Sequence, residues 1–181
     1  QKYAEKVIEV IKECKKSFEV EGIKYIDLEE SYDFGLLREE VASYGKYVLK
    51  VQKSIYDGVI LDVGPSQEGV SKIEKKFAKA LDKDSRIKLF MKLPKGPEGY
   101  IIETPAGDYT PDWAIVVERV QGGHKEEKMY FVVETKGTNN IYELRPEERI
   151  KIESAKKRFE ILRDSKFVAP VKDFDSFENQ W

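Results

Sequence analysis

The segments TPDWAIVV (residues 110–117) and YFVVETKG (residues 130–137) give the clearest indication of how this chain folds. Both are rich in β-branched and aromatic residues, which favour strands, yet both carry charge that a buried strand normally lacks. Pairing Glu118 with Lys128 across the loop Arg119 to Glu127 sets an antiparallel register in which the numbers of paired residues sum to 246. The sequence therefore predicts one antiparallel hairpin built from these two strands.

The predicted register places Asp112 directly opposite Glu134, because their numbers also sum to 246. Facing residues of an antiparallel pair have Cβ atoms roughly 5 Å apart, so two carboxylates there repel unless a cation lies between them. Side chains alternate along a strand, and Lys136 therefore shares a face with Glu134. This arrangement suits phosphodiester hydrolysis, with Mg²⁺ held by the two acids and Lys136 orienting the attacking water or offsetting charge on the phosphate.

An ordinary surface ion pair at the end of a hairpin is the alternative interpretation of these residues. A short Glu-x-Lys motif occurs often by chance, and alone it favours that alternative. Here the motif ends an apolar run, and Pro111-Asp112 lies on the strand predicted to pair with it. The two features together favour a catalytic site.

Asp112, Glu134 and Lys136 resemble the PD-(D/E)xK nuclease signature. The surrounding segments are more specific, and they resemble the C-terminal endonuclease domain of type III restriction enzyme Res subunits from about residue 71 to residue 159. The segments that carry this resemblance are LFMKLP (89–94), TPAGDYTPDWA (104–114), YFVVETKG (130–137), LR (144–145) and KIE (151–153).

The resemblance implies a restriction-endonuclease-like α/β fold, with a mixed sheet flanked by helices, and Mg²⁺-dependent cleavage of double-stranded DNA. Mn²⁺ is the expected substitute for Mg²⁺. Such a domain is normally attached to an ATP-driven, helicase-like motor and works with a modification (methyltransferase) subunit. The chain contains no G-x-x-x-x-G-K-[ST] phosphate-binding loop, so we expect ATP to act only through a motor outside it.

Glu74 has two interpretations that do not exclude each other. Ser71 and Glu74 have the spacing of a capping box, in which each side chain accepts a hydrogen bond from the other residue's backbone N–H. At about 100° per residue, however, Glu74 also falls inside the apolar face formed by Ile73, Phe77 and Leu81. The resemblance places Glu74 at a position from which the first helix of the fold sends an acid to the metal site.

Lys151 lies on the helix predicted from Pro146, a favoured first helical residue, to about Asp164. It borders the inward apolar stripe, from which it can reach a phosphate near the end of the sheet. A lysine that extends along a solvated flank is the alternative. The resemblance places Lys151 in a shared Lys-Ile-Glu segment, and we retain it as a candidate nucleic-acid contact.

The composition is that of one globular domain, with 181 residues of which 40% are hydrophobic and 36% charged. We expect residues 1–181 to form a single nuclease domain excised from a longer chain, with an N-terminal extension and scaffold strands at 1–63 and a catalytic core at 71–163. No apolar stretch is long enough to span a membrane and no signal peptide opens the chain, so we expect a cytoplasmic protein. The net charge of −2 predicts weak, salt-sensitive DNA binding.

Cys14 and His124 are the only cysteine and histidine, and they cannot form a zinc site or an internal disulfide. Two further functions stay open from the sequence alone. One is a PD-(D/E)xK nuclease of a repair system, of another defence system, or one acting on RNA. The other is a non-catalytic nucleic-acid or protein-binding module that retains the fold.

Overall fold

The central element of the computed structural model is a four-stranded sheet whose strands lie side by side in the order in which they occur in the chain. The structure describes residues 2–26, 48–56, 58–62, 71–95, 99–120, 126–162 and 165–180. The strands of this sheet are β3 (Ile87–Lys92), β4 (Trp113–Val120), β5 (Glu126–Thr135) and β6 (Ser165–Val171). The helices are α1 (Lys2–Gly22), α2 (Lys72–Lys83), α3 (Pro146–Phe159) and α4 (Phe174–Glu178), with a short 3-10 helix at Ile141–Glu143.

The predicted hairpin and its register are confirmed. β4 and β5 are antiparallel, and Trp113 pairs with Val133 while Glu118 pairs with Lys128. β3 is antiparallel to β4, whereas β6 runs parallel to β5. The sheet is therefore mixed, and the predicted restriction-endonuclease-like α/β class is confirmed.

One face of the sheet packs against α2 and α4. Phe77 of α2 lies 5.6 Å from the Trp113 ring and 5.9 Å from that of Phe177, measured between ring centroids. All three side chains are buried, and burial of such large apolar surfaces provides the main stabilisation of this layer. The start of β4 is thereby packed beneath α2.

The other face is covered by α3. Its buried side chains Ile152, Ala155 and Phe159 face the sheet, as the apolar stripe predicts. The helix ends at Phe159, so the predicted end near Asp164 is wrong. The chain has to turn there because β6 begins at Ser165 and pairs with Tyr130 of β5.

The N-terminal part of the chain contributes α1 and a small antiparallel hairpin of β1 (Val48–Leu49) and β2 (Val59–Ile60). A Cβ atom at Gly58 would lie 2.6 Å from Val48 Cγ1, so only glycine allows this close approach without a shift. The hairpin reaches the main sheet through a parallel bridge between Ser54 and Phe90. Within the described ranges, no helix is both long and apolar enough to cross a membrane.

Candidate active site

A cavity of about 440 Å³ opens where β4 begins and β5 ends. The five side chains singled out from the sequence all line it: Glu74, Asp112, Glu134, Lys136 and Lys151. They come from α2, from the two strands of the hairpin and from α3. The fold therefore brings together residues that lie up to 77 positions apart in the chain.

Asp112 lies directly before β4, and its buried carboxylate is held from the opposite strand. The backbone N–H of Thr135 donates to Oδ2 at 2.9 Å, and the Thr135 hydroxyl donates to the same oxygen at 2.7 Å. The Thr135 hydroxyl also accepts from the indole Nε1 of Trp113 at 3.4 Å. The threonine between Glu134 and Lys136 thus fixes the orientation of the first acid.

Glu134 is only 4% exposed, and its two carboxylate oxygens have different environments. Oε1 forms an ion pair with Lys136 Nζ at 3.0 Å, whereas Oε2 has no hydrogen-bond partner among the described residues. Burial raises the pKa of Glu134 to about 7, and the nearby Asp112 carboxylate adds to this effect. A buried oxygen without a partner is costly, and a bound cation would satisfy it.

Lys136 bridges two carboxylates. Its Nζ lies 3.0 Å from Glu134 Oε1 and 2.9 Å from Oε1 of Glu148, which belongs to the first turn of α3. Burial lowers the pKa of Lys136, but the two carboxylates outweigh burial and the net shift is upward. The next residue, Gly137, has a φ of +69°, a conformation that favours glycine and turns the chain away from the cavity.

Glu74 makes only half of the predicted capping box. Ser71 Oγ accepts from the Glu74 N–H at 3.3 Å, so the cap itself is confirmed. The reciprocal bond is replaced, because the Ser71 N–H donates to the carbonyl oxygen of Asp62 at 2.7 Å. The Glu74 carboxylate instead accepts from the Asp62 N–H at 2.9 Å and pairs with Lys92 Nζ at 2.5 Å. Burial raises the pKa of Glu74 despite this attraction.

Asp62 is a site residue that the sequence did not reveal. One carboxylate oxygen from each of Asp62, Glu74 and Asp112 can be chosen so that all three lie within 4.8 Å of one another, close enough to hold a metal ion. Burial disfavours ionised Asp62, but the ammonium groups of Lys92 and Lys95 outweigh burial and lower its pKa. Asp62 follows a two-residue strand and lies 50 positions before Asp112, so no periodicity or motif spacing identifies it.

Two further side chains contribute polar groups to the cavity. Lys151 is half-buried and donates to the carbonyl oxygen of Asp108 at 2.8 Å. Tyr109 is 8% exposed, and its hydroxyl makes no well-aligned hydrogen bond to a described residue but lies close enough to the Glu134 carboxylate to interact with it. Burial raises the pKa of Tyr109 well above its ordinary value, and the carboxylates of Glu134 and Asp112 add to this shift. The tyrosine therefore remains a proton donor at neutral pH.

The donor set fits a hard divalent cation. The candidate ligands are all carboxylates, and no described residue offers sulfur or imidazole at this cavity. Oxygen-only sites of this kind suit Mg²⁺ and Mn²⁺ better than softer metals. The unpartnered Glu134 Oε2 beside the oriented Asp112 carboxylate is the observation on which this fit rests.

Comparison with protein-family models gives one match, to an endonuclease domain, over residues 52–174, about two thirds of the chain. Comparison with curated proteins and with solved structures found no significant match. The matched range contains the main sheet, one helix on each of its faces (α2 and α3) and all the cavity residues described above. The chain therefore belongs to the endonuclease domain family and has a restriction-endonuclease-like fold.

Proposed function

We propose that this chain is the DNA-cleaving domain of a type III restriction-modification enzyme, and that it hydrolyses phosphodiester bonds with the help of Mg²⁺. Asp112 and Glu134 hold the cation, and Glu74 contributes directly or through a bound water. A cation held there would supply Lewis-acid chemistry, polarising the phosphate and lowering the pKa of a water molecule. The observation that carries the proposal is the meeting of Asp112, Glu134 and Lys136 on one cavity, with a Glu134 oxygen left unpartnered.

We assign to Lys136 the role of orienting the attacking water. Its ammonium group is held at the cavity by Glu134 and Glu148, at 3.0 Å and 2.9 Å. Both carboxylates favour the charged form, so the lysine acts as a fixed positive hydrogen-bond donor rather than as a proton acceptor. It orients the water and offsets the negative charge that grows on the phosphate in the transition state.

Lys151 provides a phosphate contact at the rim of the cavity. Its present bond to the Asp108 carbonyl is exposed, so exchange for a phosphate oxygen costs little. The chain as a whole has a net charge of −2, which predicts weak, salt-sensitive binding to DNA. We therefore expect the isolated domain to cut slowly and without sequence specificity.

The type III assignment rests on the resemblance of residues 71–159 to Res-subunit endonuclease domains. On this proposal, target recognition belongs to a modification subunit, and movement along DNA belongs to an ATP-driven motor, both outside this chain. Mn²⁺ replaces Mg²⁺, and the enzyme acts in the cytoplasm. Residues 1–181 form a single nuclease domain, with the catalytic core at 71–163.

The experiment that tests the proposal is cleavage of supercoiled DNA, linear duplex and RNA, each with Mg²⁺, Mn²⁺ or a chelator. We expect metal-dependent cutting of duplex DNA, which Lys136→Ala abolishes while folding and metal binding are retained. Lys79→Ala removes an exposed lysine of α2 and serves as the matched control. Cleavage retained by Lys136→Ala would remove Lys136 from the mechanism, and preferential cutting of RNA would favour a different nuclease.

A calorimetric titration with Mn²⁺ separates the nuclease from a binding module that keeps only the fold. Wild-type protein takes up the metal and Asp112→Ala does not. Absence of uptake by wild-type protein, or equal uptake by Asp112→Ala, would leave only the binding module.

A further inference from the structure

Lys92 places a buried positive charge behind the candidate metal ligands. It is the last residue of β3 and is 6% exposed. Its Nζ lies 2.5 Å from Glu74 Oε1 and 3.1 Å from Asp62 Oδ2. The same ammonium lies 5.6 Å from the centroid of the Trp113 ring, a distance at which a cation is attracted to the ring face. The ammonium makes no well-aligned hydrogen bond to any described residue, so its attraction to the two carboxylates and to the ring is electrostatic.

The carboxylates of the cavity define two cation positions that share Asp112. The proposed function places one between Asp112 and Glu134, which both line the cavity. The other is the group of Asp62, Glu74 and Asp112, from each of which one oxygen lies within 4.8 Å of the other two. At the second position the oxygens are already engaged, since Glu74 Oε1 faces Lys92 and Glu74 Oε2 accepts from the Asp62 N–H. At the first position Glu134 Oε2 has no hydrogen-bond partner among the described residues.

Formal charges point in the same direction. Six carboxylates and three lysines line the cavity, and Lys92 adds a fourth ammonium behind Glu74, which leaves a formal charge of −2. One divalent cation neutralises this charge. A second cation would have to displace Lys92 from its carboxylate partners. The ammonium would then lie unpaired in an apolar layer, and burying an unpaired charge costs much free energy.

We propose that the DNA-free domain binds one divalent cation, at Asp112 and Glu134, and that Lys92 permanently occupies the second cation position. This inference rests on the proposed metal-dependent function and specifies the number of ions and the ligand pair. Glu74 then acts as a positioning residue, because it holds Lys92 and the Asp62 backbone and reaches the ion only through water.

The test is the stoichiometry of Mn²⁺ binding, measured by calorimetry and by the loss of the free-Mn²⁺ electron paramagnetic resonance signal. We expect one ion per wild-type chain and two per Lys92→Met chain. Methionine keeps the apolar stem, frees Glu74 Oε1 and removes one of the two ammonium groups that face Asp62 Oδ2, the other being that of Lys95. Lys88→Met is the matched control, because Lys88 lies on the same strand and pairs with Glu118 away from the cavity. It should bind one ion.

Two ligand variants decide the position of the ion without relying on the folding of Lys92→Met. Glu134→Gln should weaken Mn²⁺ binding more than about tenfold, whereas Glu74→Gln should change it only a few-fold. Two ions in wild-type protein, one ion in a folded Lys92→Met chain, or a larger loss in Glu74→Gln than in Glu134→Gln would overturn this inference alone. Absence of Mn²⁺ uptake by wild-type protein would overturn the proposed function and this inference with it.

Discussion

The two buried glutamates of the central hairpin have different electrostatic environments. Glu118 and Glu134 belong to neighbouring strands and are 8% and 4% exposed. Glu118 pairs with Lys88, whose side chain is 47% exposed, and it does not line the candidate active site. Glu134 pairs with a lysine through one oxygen, keeps the other unpartnered and has a raised pKa.

By this comparison, a buried acid beside a lysine is not enough to identify a candidate active site. Glu118 forms an ordinary ion pair with a lysine, which is the arrangement that the sequence left open as an alternative for Glu134. What separates Glu134 is a second carboxylate, that of Asp112, together with an oxygen that no described group satisfies. Substitutions made in pairs, one at each end of the hairpin, test this distinction directly.

The largest difference is expected in catalysis. Asp112→Asn should lower the rate of DNA cleavage by about a thousandfold or more, because loss of one carboxylate weakens the metal site. Glu118→Gln should change the rate less than about twofold. Single-turnover cleavage at saturating Mg²⁺ measures the rate for both variants. Equal decreases in rate would show that the different environments of the two acids do not reflect a difference in catalysis.

The next effect is a pH dependence of stability in the metal-free protein. The pKa of Glu134 is raised to about 7 in the folded chain, so the folded state retains a proton that the unfolded state loses near pH 4.5. Stability should therefore fall as pH rises from about 4.5 to 7, by about 3 kcal/mol from this group. Urea unfolding in the presence of a chelator measures the free energy of unfolding at each pH. The decrease with rising pH should be absent in Glu134→Gln and retained in Glu118→Gln. Identical pH profiles for wild-type protein and Glu134→Gln would contradict the assignment.

A smaller effect is expected at Thr135, which orients Asp112. Thr135→Val removes the hydroxyl that donates to Asp112 Oδ2 but keeps the backbone N–H bond. Mn²⁺ affinity should fall about tenfold, and Thr135→Ser should restore it. A purely structural role would be shown by lower stability in Thr135→Val with unchanged metal affinity.

The smallest effect concerns DNA binding at the rim. Lys151→Ala should weaken binding of duplex DNA equally for different sequences and should lower the slope of log affinity against log salt by about 1. Lys156→Ala, which removes an exposed lysine from the same helix but outside the cavity, is the control. An unchanged salt dependence in Lys151→Ala would mean that its role is limited to the bond with the Asp108 carbonyl.

The sequence predicts the hairpin because strand alternation and one loop fix its register. The same register brings Asp112, Glu134 and Lys136 to one end of the sheet, where the structure places them on one cavity. These predictions succeed because each depends on residues that are near neighbours in a regular element.

Asp62 and Lys92 could not be predicted in this way. Asp62 follows a very short strand, and tertiary contacts bring it to the site: its backbone bonds to Ser71 and Glu74, and its side chain pairs with two lysines. Lys88 and Lys92 have the even spacing that would place them on one face of a regular strand. A register shift between Ile87 and Leu89 interrupts that regularity, and Lys92 is buried while Lys88 is exposed.

Helix α3 contacts both the N-terminal helix α1 and Lys136, the lysine proposed to act in catalysis. Near its C-terminal end, Lys157 donates to the carbonyl oxygens of Val20 and Glu21, each at 2.7 Å, and so grips the last turn of α1. In its first turn, Glu148 holds Lys136. α3 therefore connects the last turn of α1 to the candidate active site through side-chain contacts at both of its ends.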